Sequence, residues 1–181
     1  MQPVHRWRGG TPGPSWFLKG RALHQAGGVP FEFFSDPRFA AYAHLDYPLL
    51  VPLTVAGTYA WTGDIETVMK AWWPLLAGAC CAGLFWGLQG LAPAAVRLAG
   101  VLLLLGIPEL ARHVLGDYNG YADLPLATFA LFGAVFFYRS LRNDEPRAAL
   151  VAALFFGLAG FTKNEGLVIA AAGCGLILAH G

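Results

Sequence analysis

The sequence predicts an all-α polytopic membrane protein, with about five transmembrane helices preceded by an extracytoplasmic loop that carries short juxtamembrane helices. Three observations predict it. The 181 residues are 56% hydrophobic and only 13% charged, with a mean hydropathy of +0.52, whereas a soluble domain carries roughly 25% charged residues to cover its surface. The apolar residues come in long runs: from Ala71 to Ala111 the only ionisable side chains besides the two cysteines are Arg97 and Glu109, which reads as bilayer-spanning sequence. The net charge is +1 with no basic run, so a nucleic-acid partner is set aside and the lipid bilayer is the expected one.

The chain divides into a loop region, 1–68, and a transmembrane helical region, 69–181. Met1 to Pro14 has no apolar core and is not a secretory signal. Breakers at Gly27, Gly28, Pro30 and Pro37 leave Trp16–Gln25 as the helical stretch of the first part. Tyr47–Trp61 is apolar but interrupted by Pro48 and Pro52, which suits a helix lying at the interface, with Trp61, Trp72 and Trp73 at headgroup level. Spans are expected near 69–91, 96–115, 124–141, 148–161 and 167–179, each apolar all round. The fourth has about fourteen residues, roughly 21 Å at 1.5 Å per residue, against a hydrocarbon core of roughly 30 Å.

Arg139, Arg142 and Arg147 gather between the third and fourth spans, and Arg97 lies beside the loop two spans earlier; that side is assigned as cytoplasmic. Lys19 and Arg21 count against it, although charges in a long segment weigh less. The 1–68 region, Gly116–Asp123 and Lys163–Gly166 then share the opposite face. Cys80, Cys81 and Cys174 sit in apolar runs without metal-ligand spacing, so neither disulfide nor metal is assigned.

Three polar clusters interrupt this background. In Ala43-His44-Leu45-Asp46-Tyr47-Pro48, His44 and Asp46 are placed to bind a sugar or phosphate; otherwise Asp46 N-caps a helix whose first turn holds Pro48. In Gly116-Asp117-Tyr118-Asn119-Gly120-Tyr121-Ala122-Asp123, a cap accounts for Asp123, and the paired acids can also act as a base or hold a divalent cation, which nothing else in the sequence indicates. In Thr162-Lys163-Asn164-Glu165-Gly166, short flanking spans put Lys163 and Glu165 below the membrane surface, where ionisable groups are paired or functional. The alternative is a snorkelling lysine at a plain turn. Arg112 closes the second span as a phosphate-attracting cation or an interfacial anchor, with Glu109 as its helical partner.

Trp16-Phe17-Leu18-Lys19-Gly20-Arg21-Ala22-Leu23, His44-Leu45-Asp46-Tyr47-Pro48-Leu49-Leu50, Gly120-Tyr121-Ala122-Asp123-Leu124-Pro125 and Thr162-Lys163-Asn164-Glu165-Gly166, taken in that order, resemble the bacterial GT-C membrane glycosyltransferases of the protein-mannosyltransferase and aminoarabinose-transferase type. The resemblance implies transfer of a sugar from a polyprenyl-phosphate carrier to a glycan, lipid or protein acceptor at the extracytoplasmic face of the bacterial plasma membrane, with no cofactor. It implies Asp46 near the sugar, Asp123 in the second external loop and Lys163 near the carrier phosphate; the residues' own chemistry adds Asp117 to Asp46 and Asp123 as a candidate catalytic carboxylate, Lys19 and Arg112 as further cations, and His44, Tyr47, Tyr121 and Glu165 as candidate substrate contacts. An acceptor hydroxyl needs a carboxylate base, and the departing phosphate needs a cation. Relatives carry a helix and an acid ahead of the Trp-x-x-Lys segment, and further spans at the far end. Here no acid precedes Glu32 and no helix precedes Trp16, so the chain is expected to be the N-terminal part of such an enzyme, without its first helix, the loop acid that serves its relatives as catalytic base, and its C-terminal half.

Two other classes compete with this reading. A transporter module would line a polar path with Lys163, Glu165 and Asp123, although no internal repeat is visible. A non-catalytic subunit would pair through small-residue faces around Gly157, Gly160, Gly173 and Gly175.

Overall fold

A computed structural model of the chain describes residues 15–63 and 66–180, with the side chains of residues 40–42 and 180 outside the description; the expectation about Met1–Pro14 lies outside the described residues. All regular structure among these residues is helical: α1 Ser15–Ala26, α2 Phe31–Phe34, α3 Pro37–Ala43, α4 Leu50–Thr62, α5 Glu66–Lys70, α6 Trp72–Gly87, α7 Ala94–Leu105, α8 Pro108–Leu115, α9 Asp123–Asn143, α10 Pro146–Thr162 and α11 Asn164–His180. Local chemistry sets many of these boundaries. Asp36 caps α3 by accepting from the Arg38 N–H at 3.0 Å, and Pro37, Pro108 and Pro146 open their helices, where a missing N–H costs nothing.

Among the described residues, two helical stretches are each long and apolar enough to cross a membrane, Glu66–Gly87 with 22 residues and Asp123–Asn143 with 21. The expected span over 96–115 is not one straight helix. It breaks at Gly106-Ile107-Pro108 into α7 and α8, bent by 65°, because Pro108 has no N–H for a helical bond and its ring collides with the carbonyl of residue 104. The expected spans at 148–161 and 167–179 are the 17-residue helices α10 and α11, each about 26 Å long and short of a roughly 30 Å hydrocarbon core.

The helices α6, α9, α10 and α11 pack side by side, and α1 and α4 cover one end of them. Phe156 of α10 is wedged between α9 and α11: a Cβ on Gly133 would lie 2.6 Å from its ring, and one on Gly173 would strike it from the other side. Gly160 meets Ala170 of α11 in the same way, at 3.1 Å. Gly160 and Gly173 are thus spent inside the protein rather than on a partner-facing stripe; Gly157 and Gly175 are open. At the covered end, Trp16 and Phe17 of α1, Val55 and Tyr59 of α4, Trp73 of α6 and Leu124 of α9 form one buried cluster. Burying a large apolar side chain contributes about 1.5–3 kcal/mol, so this cluster locks α1 and α4 onto the bundle. Trp73 is therefore a core residue, 2% exposed, and not a headgroup anchor; its indole N–H donates to the Tyr121 carbonyl at 2.9 Å. Trp61 and Trp72 remain exposed. The arginines converge at the other end, where Arg142 donates to the Gly90 carbonyl at 3.1 Å, Arg139 lies over Trp86 and Arg97 over Phe85.

Candidate functional site

The covered end of the bundle gathers the ionisable residues of three separate segments. Helices α10 and α11 are joined by one residue, Lys163, in extended backbone at φ −157°. The chain reverses there because Gly166, in the first turn of α11, lets that turn press against the Ala159 carbonyl. This places Lys163 beside the start of α9, and its ammonium donates to Asp123 Oδ1 at 2.9 Å and lies 3.4 Å from Glu165 Oε1. Burial works against the charged amine, but the hydrogen bond to Asp123 and the charges of both carboxylates outweigh it and raise the Lys163 pKa. The neighbouring Asn164 donates to Asp46 Oδ2 at 3.3 Å across 118 residues of sequence.

Asp46 stands in the turn before α4, which begins at Leu50 with Leu49 at its N-cap. Asp46 is therefore not a helix cap; its carboxylate faces α11. Asp123 is likewise no cap, since Ala122 holds that position and Asp123 is the first residue of α9. Capping was the physically simplest role for each, and tertiary contacts take both carboxylates instead.

The turn that carries Asp46 is fixed from behind. His44 has a left-handed backbone, φ 45°, and its ring stacks on Tyr47 at 5.0 Å, while Tyr47 packs on Trp16 at 5.5 Å. Lys19 closes the arrangement. Its side chain is 0% exposed, and its ammonium donates to the His44 carbonyl at 2.8 Å and sits 4.3 Å from the centre of the Trp16 ring. Lys19 thus points into the protein, away from any surface where a carrier phosphate would sit. Burial lowers its pKa from 10.5 to about 8, with Asp46 opposing. Because the folded value is below the unfolded one, unfolding takes up a proton between about pH 8 and 10.5, so stability rises with pH across that window. The unfolding midpoint of the purified protein is expected to climb from pH 8 to 10, and the climb to disappear in Lys19→Met; an equal climb in both proteins would refute this assignment.

A second cluster forms around α8. Arg112 grips Asp117 through two hydrogen bonds of 3.2 and 3.0 Å, reaches Glu109 at 3.5 Å and lies over Tyr118 at 3.8 Å. His113 and Tyr121 add rings at 5.3 and 5.5 Å from Tyr118. The Arg112 hydrogen bond keeps the Asp117 carboxyl below its usual pKa, which makes it a weak proton acceptor. Among the described residues, no hydrogen bond or ion pair joins this cluster to Lys163, Asp123 or Asp46. Of the predicted residues, Asp46, Asp123, Lys163 and Glu165 are therefore brought together, with His44 and Tyr47 at the edge; Arg112, Asp117 and Tyr121 stand apart. Asn164, the link between Asp46 and α11, lay in a motif already noted but without a role of its own.

The described residues contain no group of three or more His, Cys, Asp or Glu side chains placed to hold a metal ion, and the two acids considered for a cation, Asp117 and Asp123, are each bound to a base. No protein-family model, curated protein or solved structure matches the chain.

Proposed function

We propose that the chain is the sugar-transferring part of a GT-C-type membrane glycosyltransferase, which takes a sugar from a polyprenyl-phosphate carrier and passes it to an acceptor at the extracytoplasmic face of a bacterial plasma membrane. The observation that carries the reading is the meeting of Asp46, from the turn before α4, with the Lys163–Asp123 pair, across Asn164. In this reading the chain crosses the bilayer five times, through α5–α6, the bent α7–α8 pair, α9, α10 and α11. The arginine-rich end is cytoplasmic, which puts the turn at Lys163 at the outer face, where the half-exposed carboxylates of Asp123 and Glu165 meet water.

On this proposal the two groups divide the labour. Asp46 is exposed, and among the described residues its hydrogen bond is to the Asn164 amide, with no cation in contact, so in this reading its carboxylate takes the proton from an acceptor hydroxyl. Lys163, held charged and oriented by Asp123, is the cation that meets the departing carrier phosphate. The confinement of the charged groups to helix ends favours transfer over a polar transport path.

The test is transfer of radiolabelled sugar from polyprenyl-phosphate mannose and from polyprenyl-phosphate aminoarabinose, by the protein reconstituted in bacterial lipid vesicles. Asp46→Asn is expected to lower transfer on the order of 10²–10⁴-fold, the range of a lost general base. Absence of both transfer and carrier binding in the unaltered protein would end this reading.

A further inference from the structure

Away from the Lys163 cluster, α4 and the α5–α6 segment enclose a groove of about 530 Å³, within the size range of a small-molecule site. Its walls include three threonines, yet the described residues that line it offer a ligand almost nothing polar. The hydroxyls of Thr54, Thr58 and Thr62 each donate at 2.9 Å to the carbonyl four residues earlier, and the Trp72 indole N–H is spent on Thr58 Oγ1 at 2.9 Å. What faces the groove is methyl and ring. The exception is Trp61, 92% exposed, an amphipathic ring of the kind that sits where hydrocarbon meets headgroup.

We infer that this groove seats one acyl chain of a bilayer phospholipid, with Trp61 at the level of its ester and headgroup. Three features select this occupant. The lining residue Leu75 belongs to the candidate span Glu66–Gly87 and is 64% exposed, so the groove opens directly onto a face that hydrocarbon would cover. Gly57 lines it with nothing within 4 Å of where a Cβ would be, which leaves the space a chain needs. Finally, no charged residue lines the groove, so it offers a chain and an interfacial ring rather than a site for a phosphate. The inference rests on α5–α6 lying in a bilayer and is independent of sugar transfer.

The experiment reconstitutes the protein in phosphatidylcholine vesicles containing a few per cent of a phosphatidylcholine with a mid-chain diazirine, and maps adducts by peptide mass spectrometry after illumination. Labelling at Val68, Ala71 and Leu75 is expected to exceed severalfold that at Leu103 and Leu178, which are exposed on other helices, and to saturate with probe. Gly57→Phe, which fills the groove, is expected to cut it about tenfold while leaving Leu103 and Leu178 labelled. Gly57→Ala, whose methyl enters open space, is expected to reduce it partially and decides the matter if the Phe variant does not fold. Groove labelling no higher than at Leu103, or unchanged in the folded variants, overturns the inference. So does its displacement by stoichiometric polyprenyl phosphate, which would give the groove to the carrier.

Discussion

Gly166→Ala is expected to destabilise the protein by about 3 kcal/mol, the upper part of the usual range for forcing extra volume into a packed interior. An added Cβ at Gly166 would overlap the Ala159 carbonyl oxygen and approach its carbon to 2.6 Å. Backbone atoms have no rotamer to swing away into, so relief requires α10 and α11 to separate. Their separation pulls on the single residue between them. Because Lys163 is that residue, its 2.9 Å hydrogen bond to Asp123 is the first contact to suffer, and the variant should lose sugar transfer together with stability. Gly157→Ala supplies the contrast. Its Cβ meets nothing within 4 Å, and exchanging glycine for alanine inside a helix contributes roughly 0.5–1 kcal/mol. Unfolding of both variants in mixed micelles measures the difference; equal midpoints would contradict this packing account of the α10–α11 turn.

The helices that the sequence located well are those whose signal is an uninterrupted apolar run. The expected 124–141 span is α9 to within two residues at each end, since Pro125 and the Arg139–Arg142 segment mark its limits. The 96–115 expectation missed the bend at Pro108, a residue in plain view: apolar content outweighed backbone chemistry in a stretch where hydropathy alone draws no boundary, and the two halves, bent by 65°, are apolar enough to cross only if taken together. Trp73 shows a different limit. Trp72 and Trp73 are adjacent, and only the rotation of α6 against α9 and α1 decides which indole is buried. The candidate site divides along the same line. The residue types were visible in short motifs, but the Asn164–Asp46 contact spans 118 residues and depends on α1 and α4 closing over the bundle. Lys19 was misplaced for a related reason. Gly20 beside it lets α1 press on Val55 of α4, and that close approach turns a lysine from a phosphate-binding candidate into a buried support for the His44 carbonyl.

Lys163→Ala should remove sugar transfer on the order of 10²–10³-fold, the scale of losing one preorganised charge partner of a reacting group, while costing little stability. The two effects separate because of exposure. Lys163 has 18% of its side chain exposed, but Asp123 and Glu165 have 45% and 57%, so water solvates the carboxylates left behind and an ion pair of this kind contributes about 1 kcal/mol or less. In the proposed reaction the departing phosphate has no such substitute among the described residues considered for it, because Lys19 is turned inward to His44 and Arg112 is committed to Asp117. Lys163→Arg keeps the charge but not the compact ammonium, and partial recovery of transfer is expected from it. Asp123→Asn then separates two roles for the acid. If Asp123 only orients Lys163, its loss removes the interaction that raises the lysine pKa, so transfer should persist near neutral pH and fail earlier on the alkaline side. If Asp123 is itself the base, transfer should fall at every pH as steeply as in Asp46→Asn. The pH profile of Asp123→Asn therefore tests the assignment of the base to Asp46: an alkaline shift supports it, and a uniform loss transfers that role to Asp123.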